Sequence, residues 1–114
     1  MKKKILITGG AGFIGVNLAY YLLSKTDNFI VIYDNLSRKG VEYNLKWLKS
    51  LSYKNLKFIK GDIRDYKKLK EVVKGCSVAY HLAAQVAVTS SVKDPVNDFE
   101  INALGTLYLL EAIR

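Results

Sequence analysis

An α/β fold built on a doubly wound parallel sheet is what this sequence predicts, from three observations. Short, nearly continuous apolar runs recur along the chain. They are too uniform for strands with one wet face, so they belong in a sheet covered on both sides. Between them lie segments whose apolar residues recur at helical spacing. The first run ends in a glycine cluster that opens directly into the first of those helices. Alternating strands and helices with right-handed crossovers give strand order 3-2-1-4 as the expected topology.

The elements run in order from the N-terminus. Lys4–Thr8 reads as a buried strand ending at Gly9. Phe13–Lys25 carries Ile14, Leu18, Ala19, Leu22 and Leu23 at helical spacing. Residues 29–33 form a second strand closed by Asp34, and residues 40–51, with Leu45, Leu48 and Leu51, a second helix. Residues 56–59 are the third strand, ending at Gly61-Asp62. Leu69, Val72, Val73 and Cys76 place a third helix over residues 65–74, with Asp65 as its N-cap. Residues 77–82 are the fourth strand. Asp94-Pro95 then opens a long helix, proline at its first position, with Phe99, Ala103, Leu107 and Leu110 as its apolar stripe. That helix is still running at Arg114 without a Gly or Pro stop signal. The expectation is therefore a sheet truncated after its fourth strand and following helix, with residues 1–114 the N-terminal part of one larger domain.

Composition narrows the class. The chain has 114 residues, 50% hydrophobic and 25% charged, with one proline and eight glycines, the balance of a globular domain rather than a linker. No apolar run approaches the ~18 residues of a membrane helix. Met1-Lys2-Lys3-Lys4 leads into only Ile5, Leu6, Ile7 and Thr8 before Gly9, too short for a signal peptide. One cysteine, Cys76, and one histidine, His81, exclude an internal disulfide and a Cys/His metal site, and fit a cytoplasmic protein. The net charge of +8 comes largely from lysines scattered over polar faces, which reads as solvated surface. No nucleic-acid recognition motif accompanies it, so no nucleic-acid partner is expected. An unpaired fourth strand and a last helix without a second neighbour favour association, so a homo-oligomer is expected.

The glycine turn carries the chemistry. In Thr8-Gly9-Gly10-Ala11-Gly12-Phe13-Ile14-Gly15, Gly10, Gly12 and Gly15 satisfy G-x-G-x-x-G, and Gly9, Gly12 and Gly15 satisfy G-x-x-G-x-x-G. A turn without side chains lets backbone approach a pyrophosphate, and the helix start supplies free N–H groups and a favourable dipole. Placed between a strand and a helix, this is a Rossmann-type dinucleotide fingerprint. Asp34 ends the second strand about 20 residues further on, where an acid hydrogen-bonds the adenosine ribose and repels a 2′-phosphate. That favours NAD over NADP, although Arg38 and Lys39 follow closely and could pair with a 2′-phosphate. Asp62-Ile63 and Leu82-Ala83-Ala84-Gln85 end the third and fourth strands, on the ligand side of such a sheet; position alone leaves them between cofactor contact and packing. His81 reads as a satisfied core histidine. Asn102, mid-helix, either braces backbone or touches the cofactor.

Five segments in order resemble the extended short-chain dehydrogenase/reductase family, the nucleotide-sugar epimerases and dehydratases: TGGAGFIG at 8–15, DNLS at 34–37, GDI at 61–63, HLAAQ at 81–85 and NALGT at 102–106. Within that family, residues 34–40, 44–48, 85–91 and 98–102 resemble the branch of CDP-sugar 2-epimerases. The resemblance implies tightly held NAD, a nucleotide-sugar substrate, and transient oxidation of a sugar carbon to a ketone with return of the hydride to the opposite face. It places Gly9, Phe13 and Ile14 at the pyrophosphate, and Asp34, Asn35, Ser37 and Arg38 around the adenosine ribose. Asp62 and Ile63 would flank the adenine. Leu82, Ala83, Ala84, Gln85 and Asn102 would lie near the nicotinamide, and Val88, Thr89 and Ser90 would lead toward the sugar.

The family's base is a tyrosine in Y-x-x-x-K on a helix beyond the fifth strand. Tyr21/Lys25, Tyr53/Lys57 and Tyr66/Lys70 have that spacing, but all precede the fourth strand. No catalytic residue is therefore expected in this chain, nor most of the sugar-binding lobe. A 4-epimerase or 4,6-dehydratase of the same family, and a non-catalytic dinucleotide-binding module, are the alternative readings.

Overall fold

The computed structural model describes residues 2–84 and 92–114. Four strands, β1 (Lys4–Thr8), β2 (Phe29–Asp34), β3 (Leu56–Lys60) and β4 (Val78–His81), form one parallel sheet in the order β3-β2-β1-β4. Helices α1 (Phe13–Lys25), α2 (Val41–Ser50) and α3 (Tyr66–Val72) supply the crossovers. After β4 come α4 (Pro95–Phe99), a π-helical turn (Glu100–Leu104) and α5 (Gly105–Ile113), joined without leaving helical backbone geometry. The doubly wound architecture and its strand order are those the sequence predicts.

Each central strand feeds two cores. Ile5 and Ile7 of β1 and Ile30 and Ile32 of β2 face Val16, Ala19, Leu22 and Leu23 of α1 and Leu48 of α2. Leu6, Val31 and Tyr33 point the other way, onto Leu69 and Val72 of α3 and Leu109 of α5. Every residue of β1 and β2 near the middle is apolar because strand alternation sends successive side chains into different cores. A fully buried aliphatic side chain contributes roughly 1.5–3 kcal/mol, so these two strands anchor the sheet. Asp65 caps α3 by accepting from the Lys68 amide at 3.1 Å, and Asp94 caps α4 by accepting from the Asn97 amide at 3.1 Å.

The structure corrects the sequence reading at four places. Leu51, expected on the apolar stripe of a second helix over 40–51, lies just past the end of α2 and is exposed. Ile14, expected on the inner stripe of α1, is 68% exposed, at the mouth of a cleft. The strand expected to be buried at 77–82 is shorter, and Tyr80 on it is exposed, because among the described residues β4 pairs only with β1. The largest correction is the last helix. The expected stripe of Phe99, Ala103, Leu107 and Leu110 faces outward. Ile101, Tyr108, Leu109 and Ala112 face the core instead. Aliphatic residues surround this helix, so periodicity alone allows two inward faces. The π-helical turn then adds a residue, which rotates α5 by about 100° relative to a continuous α-helix.

Candidate functional site

The carboxyl ends of the strands open onto a cleft of about 400 Å³. β1 runs into Gly9, whose φ of 67° is left-handed and whose amide donates to the Tyr33 carbonyl at 2.9 Å. A Cβ on Gly9 would sit 2.7 Å from the Ala83 nitrogen, so only glycine lets the turn and the end of β4 meet. A Cβ on Gly15 would lie 2.5 Å from the Gly9 carbonyl oxygen and 2.6 Å from Gly10 Cα, so the start of α1 can pack on the turn only without one. Helix α1 is entered through Gly12 at its N-cap, with no side-chain cap and no acid in its first turn. Its first amides therefore point into the cleft with the positive end of the helix dipole behind them.

Asp34 stands at the end of β2. Its Oδ2 accepts from the Ala11 amide at 3.1 Å and its Oδ1 from the Leu36 amide at 2.8 Å, so one carboxylate ties the glycine turn to the turn after β2. Asn44 of α2 donates from Nδ2 to the Ala11 carbonyl at 3.0 Å, holding the turn from the other side. Asn35 Oδ1 accepts from the Ser37 amide at 3.0 Å. Arg38 reaches across the cleft and donates from Nη2 to the Ala84 carbonyl at 3.1 Å.

Asp62 closes the β3 side. Its carboxylate takes Arg64 as a fork, with Nε on Oδ1 at 2.9 Å and Nη2 on Oδ2 at 2.7 Å. Arg64 Nη1 continues to Asn97 Oδ1 at 2.8 Å and lies 3.6 Å from Glu100, fastening this corner to α4 and the π-helical turn. Hydrogen bonding from Arg64 outweighs burial and holds the Asp62 carboxyl down at about 2. The Tyr33 hydroxyl donates to the Asp62 carbonyl at 2.7 Å, and burial, with the charges of Asp65 and Asp62, pushes its pKa up to about 12. His81 lies between Thr8 and Thr106, both ring nitrogens hydrogen-bonded, and burial lowers its pKa.

The cleft brings the sequence-predicted residues together. Gly9, Gly12, Phe13, Ile14 and Gly15 line it from the turn, and Asp34, Asn35, Ser37 and Arg38 from the end of β2. Asp62 and Ile63 line it from β3, and Leu82, Ala83 and Ala84 from β4. Phe13 is 78% exposed there, an apolar ring facing water at a helix start. Gln85, and Val88, Thr89 and Ser90 beyond it, lie outside the described residues. Asn102 is not in the lining; its Nδ2 donates to Asp98 Oδ1 at 3.2 Å and its carbonyl accepts from the Thr106 hydroxyl at 2.6 Å.

Sequence reasoning missed Tyr33, Val41, Gly61 and Ile101, which also line the cleft. Tyr33 and Gly61 each immediately precede a predicted site residue, a usable signal. Ile101 carries none, because the apolar pattern of its helix points to a different inward face. None of Tyr21, Tyr53 and Tyr66 lines the cleft. Tyr66 instead packs on Tyr108 with ring centroids 5.3 Å apart. Among the described residues no His/Cys/Asp/Glu group could hold a metal, and no helix is long and apolar enough to cross a membrane.

The family model described as GDP-mannose 4,6 dehydratase matches residues 6–114. A CDP-paratose 2-epimerase of Salmonella typhi is 50% identical over 113 residues, 97% of this chain and 32% of that protein. The structure of an epimerase from Methanothermobacter thermautotrophicus superposes with a TM-score of 0.85 at 40% identity, over 97% of this chain and 31% of that one. A UDP-glucose-4-epimerase from Stenotrophomonas maltophila, solved with NAD and formylated UDP-arabinopyranose, superposes with a TM-score of 0.85 at 27% identity, over 97% of this chain and 33% of that one. The chain thus spans about a third of the length of the relatives it matches.

Proposed function

This chain belongs to the GDP-mannose 4,6-dehydratase family, among the extended short-chain dehydrogenase/reductases, and on that premise we propose that it is the NAD-binding portion of a nucleotide-sugar epimerase, a CDP-paratose 2-epimerase. The observation that carries the cofactor reading is the cleft's composition. An uncapped helix start, a turn free of side chains and a carboxylate at the end of β2 meet at one place. Residues 1–114 would be the N-terminal part of the Rossmann domain.

The residues present fit the group. The first-turn amides of α1 would hold the pyrophosphate, and Phe13 and Ile14 would cover it. Asp34 would accept from the adenosine ribose hydroxyls, and Asp62 and Ile63 would flank the adenine. Leu82, Ala83 and Ala84, with Gln85, would border the nicotinamide half, and Asn102, outside the cleft lining, would approach it from behind that wall. Bound there, NAD supplies reversible hydride transfer to and from a sugar carbon.

The proton chemistry of the reaction belongs elsewhere than in this chain. Tyr33 is the tyrosine in the cleft lining, but a pKa near 12 is the wrong direction for a base at neutral pH. A cytoplasmic location and a homo-oligomer complete the proposal. Phe99, Leu107, Leu110 and Ile113 lie exposed on the last helix, an apolar face suited to association.

Calorimetry with NAD⁺ and NADP⁺ tests the cofactor, and tighter binding of NADP⁺ overturns it. Assay of the protein from the complete reading frame on CDP-paratose tests the substrate. Turnover of a UDP- or dTDP-hexose instead would favour a 4-epimerase or 4,6-dehydratase, the first supported by the likeness to the UDP-glucose-4-epimerase structure and the second by the family description. Nucleotide binding without turnover of any sugar nucleotide would leave a dinucleotide-binding module.

A further inference from the structure

A chain of directional hydrogen bonds runs beside the cleft from the π-helical turn to the end of β4. The Thr106 hydroxyl donates to the Asn102 carbonyl at 2.6 Å. A hydroxyl has one proton, so Thr106 Oγ1 can only accept from His81 Nε2, 3.0 Å away. The proton on the His81 ring therefore sits on Nε2. Neutral imidazole then offers a bare Nδ1, and the Thr8 hydroxyl donates to it at 2.6 Å. With its proton committed, Thr8 Oγ1 faces the amides of Leu82 and Ala83 as an acceptor, at 3.1 and 3.3 Å, sharing the Leu82 amide with the Thr8 carbonyl, which is 3.0 Å away.

Thr8 is fully buried. Were His81 protonated on Nδ1 as well, the Thr8 hydroxyl would have to accept from the ring, and its own proton would lose this partner. Burial of the ring already lowers the His81 pKa, in the same direction. The segment so held is the one that Gly9 approaches within 2.7 Å of a would-be Cβ and whose Ala84 carbonyl receives Arg38.

We infer that His81, fixed as the neutral Nε2–H tautomer between Thr106 and Thr8, is a positioning residue that sets the backbone of Leu82 and Ala83 at the β4 wall of the cleft. The role rests on the nucleotide-cleft reading only for its effect on binding. The tautomer and the held amides stand or fall on their own.

The test is nitrogen-15 spectroscopy of the His81 ring in the full-length protein carrying this chain, at neutral pH, with amide hydrogen exchange at Leu82 and Ala83. Nε2 is expected protonated and Nδ1 bare. Thr106→Val removes the acceptor of the ring proton. It is expected to speed exchange at the Ala83 amide about tenfold, with less change at Leu82, whose amide the Thr8 carbonyl also holds, and to weaken NAD⁺ binding several-fold, while Thr106→Ser restores both. A proton on Nδ1 in the unmodified protein, or unchanged exchange in Thr106→Val, overturns the inference. The expected tautomer and exchange in a protein that fails to bind NAD⁺ would uphold the positioning role and sink the cofactor reading.

Discussion

The unit β1–α1–β2 and the unit formed by β4 and the last helix meet where β4 pairs with β1, with their helices on opposite faces of the sheet, and they use apolar residues differently. In the first, strand side chains are enclosed, and α1 buries Val16, Ala19, Leu22 and Leu23 along one stripe. In the second, β4 is only partly covered, and Leu107 and Leu110 are 51% and 56% exposed while Leu109 between them is 3%. Burial follows neighbours rather than hydropathy. The first unit is packed against helices on both faces of its strands, whereas in the second, among the described residues, β4 pairs along one edge only, with β1, and the last helix lays one face on α3 and on Leu6, Val31 and Tyr33.

The largest expected effect would break the first unit. Gly15→Ala puts a methyl group against backbone on both sides, 2.5 Å from the Gly9 carbonyl oxygen, and no side chain can yield to relieve it. A loss of about 3 kcal/mol is expected, at the upper end for overpacking, with nucleotide binding abolished. Gly40→Ala is the control. Its φ of 90° is left-handed but its Cβ meets nothing within 4 Å, so a cost of only about 1–2 kcal/mol is expected from backbone strain. Urea melts of both variants decide the matter, and equal losses would show that the close approach in the turn is not what demands glycine.

The next prediction sharpens the contrast within the last helix. Leu109→Ala empties a packed site and should cost about 2–4 kcal/mol. Leu107→Ala, on the exposed face the sequence pattern singled out, should cost under about 1 kcal/mol. The reverse ranking in thermal melts would mean that this helix is turned the other way about its axis.

That helix also marks the limit of what the sequence discloses. The strands and α1 are legible because a short apolar run between a helix and a turn has one sensible placement. The cleft residues at the glycine turn and Asp34 are legible because backbone geometry demands those residue types there. The last helix is not, since its composition satisfies two faces and a π-helical turn leaves no mark on periodicity. The Arg64 link to Asn97 and Glu100 is likewise invisible, because it joins segments far apart in sequence through side chains that look like ordinary surface.

A smaller effect is expected at the cleft itself. Asp34 accepts two amides with its carboxylate and would accept ribose hydroxyls as well. Asp34→Asn keeps the shape and removes the charge. About tenfold weaker NAD⁺ binding is expected, the usual size of a lost charged acceptor, together with a narrower gap between NAD⁺ and NADP⁺. Competition binding with the two nucleotides reads both at once, and an unchanged gap would remove Asp34 from the discrimination.

The smallest effect concerns the corner after β3, where Asp62 and Arg64 reach from the sheet to α4. The Asp62 carboxyl is held near 2 in the folded chain by Arg64, against an ordinary value of 3.8. A folded-state value below the unfolded one means that the contribution is fully present above about pH 4. It is lost as pH falls from there through about 2. Solvent reaches about a third of both side chains, with exposures of 34% and 32%, and screens the pair, so the contribution is about 1–2 kcal/mol rather than the full value of the shift. Arg64→Met removes the fork while keeping the length of the side chain. The variant should be less stable by about 1 kcal/mol at pH 7, and the difference from the parent should shrink as pH approaches 2, down to the share carried by the Arg64–Asn97 hydrogen bond, which does not titrate. Urea midpoints measured at intervals between pH 7 and pH 2 track that convergence. A stability difference that stays constant down to pH 2 would assign the effect to the lost hydrogen bond to Asn97 and the lost arginine stem rather than to the ion pair.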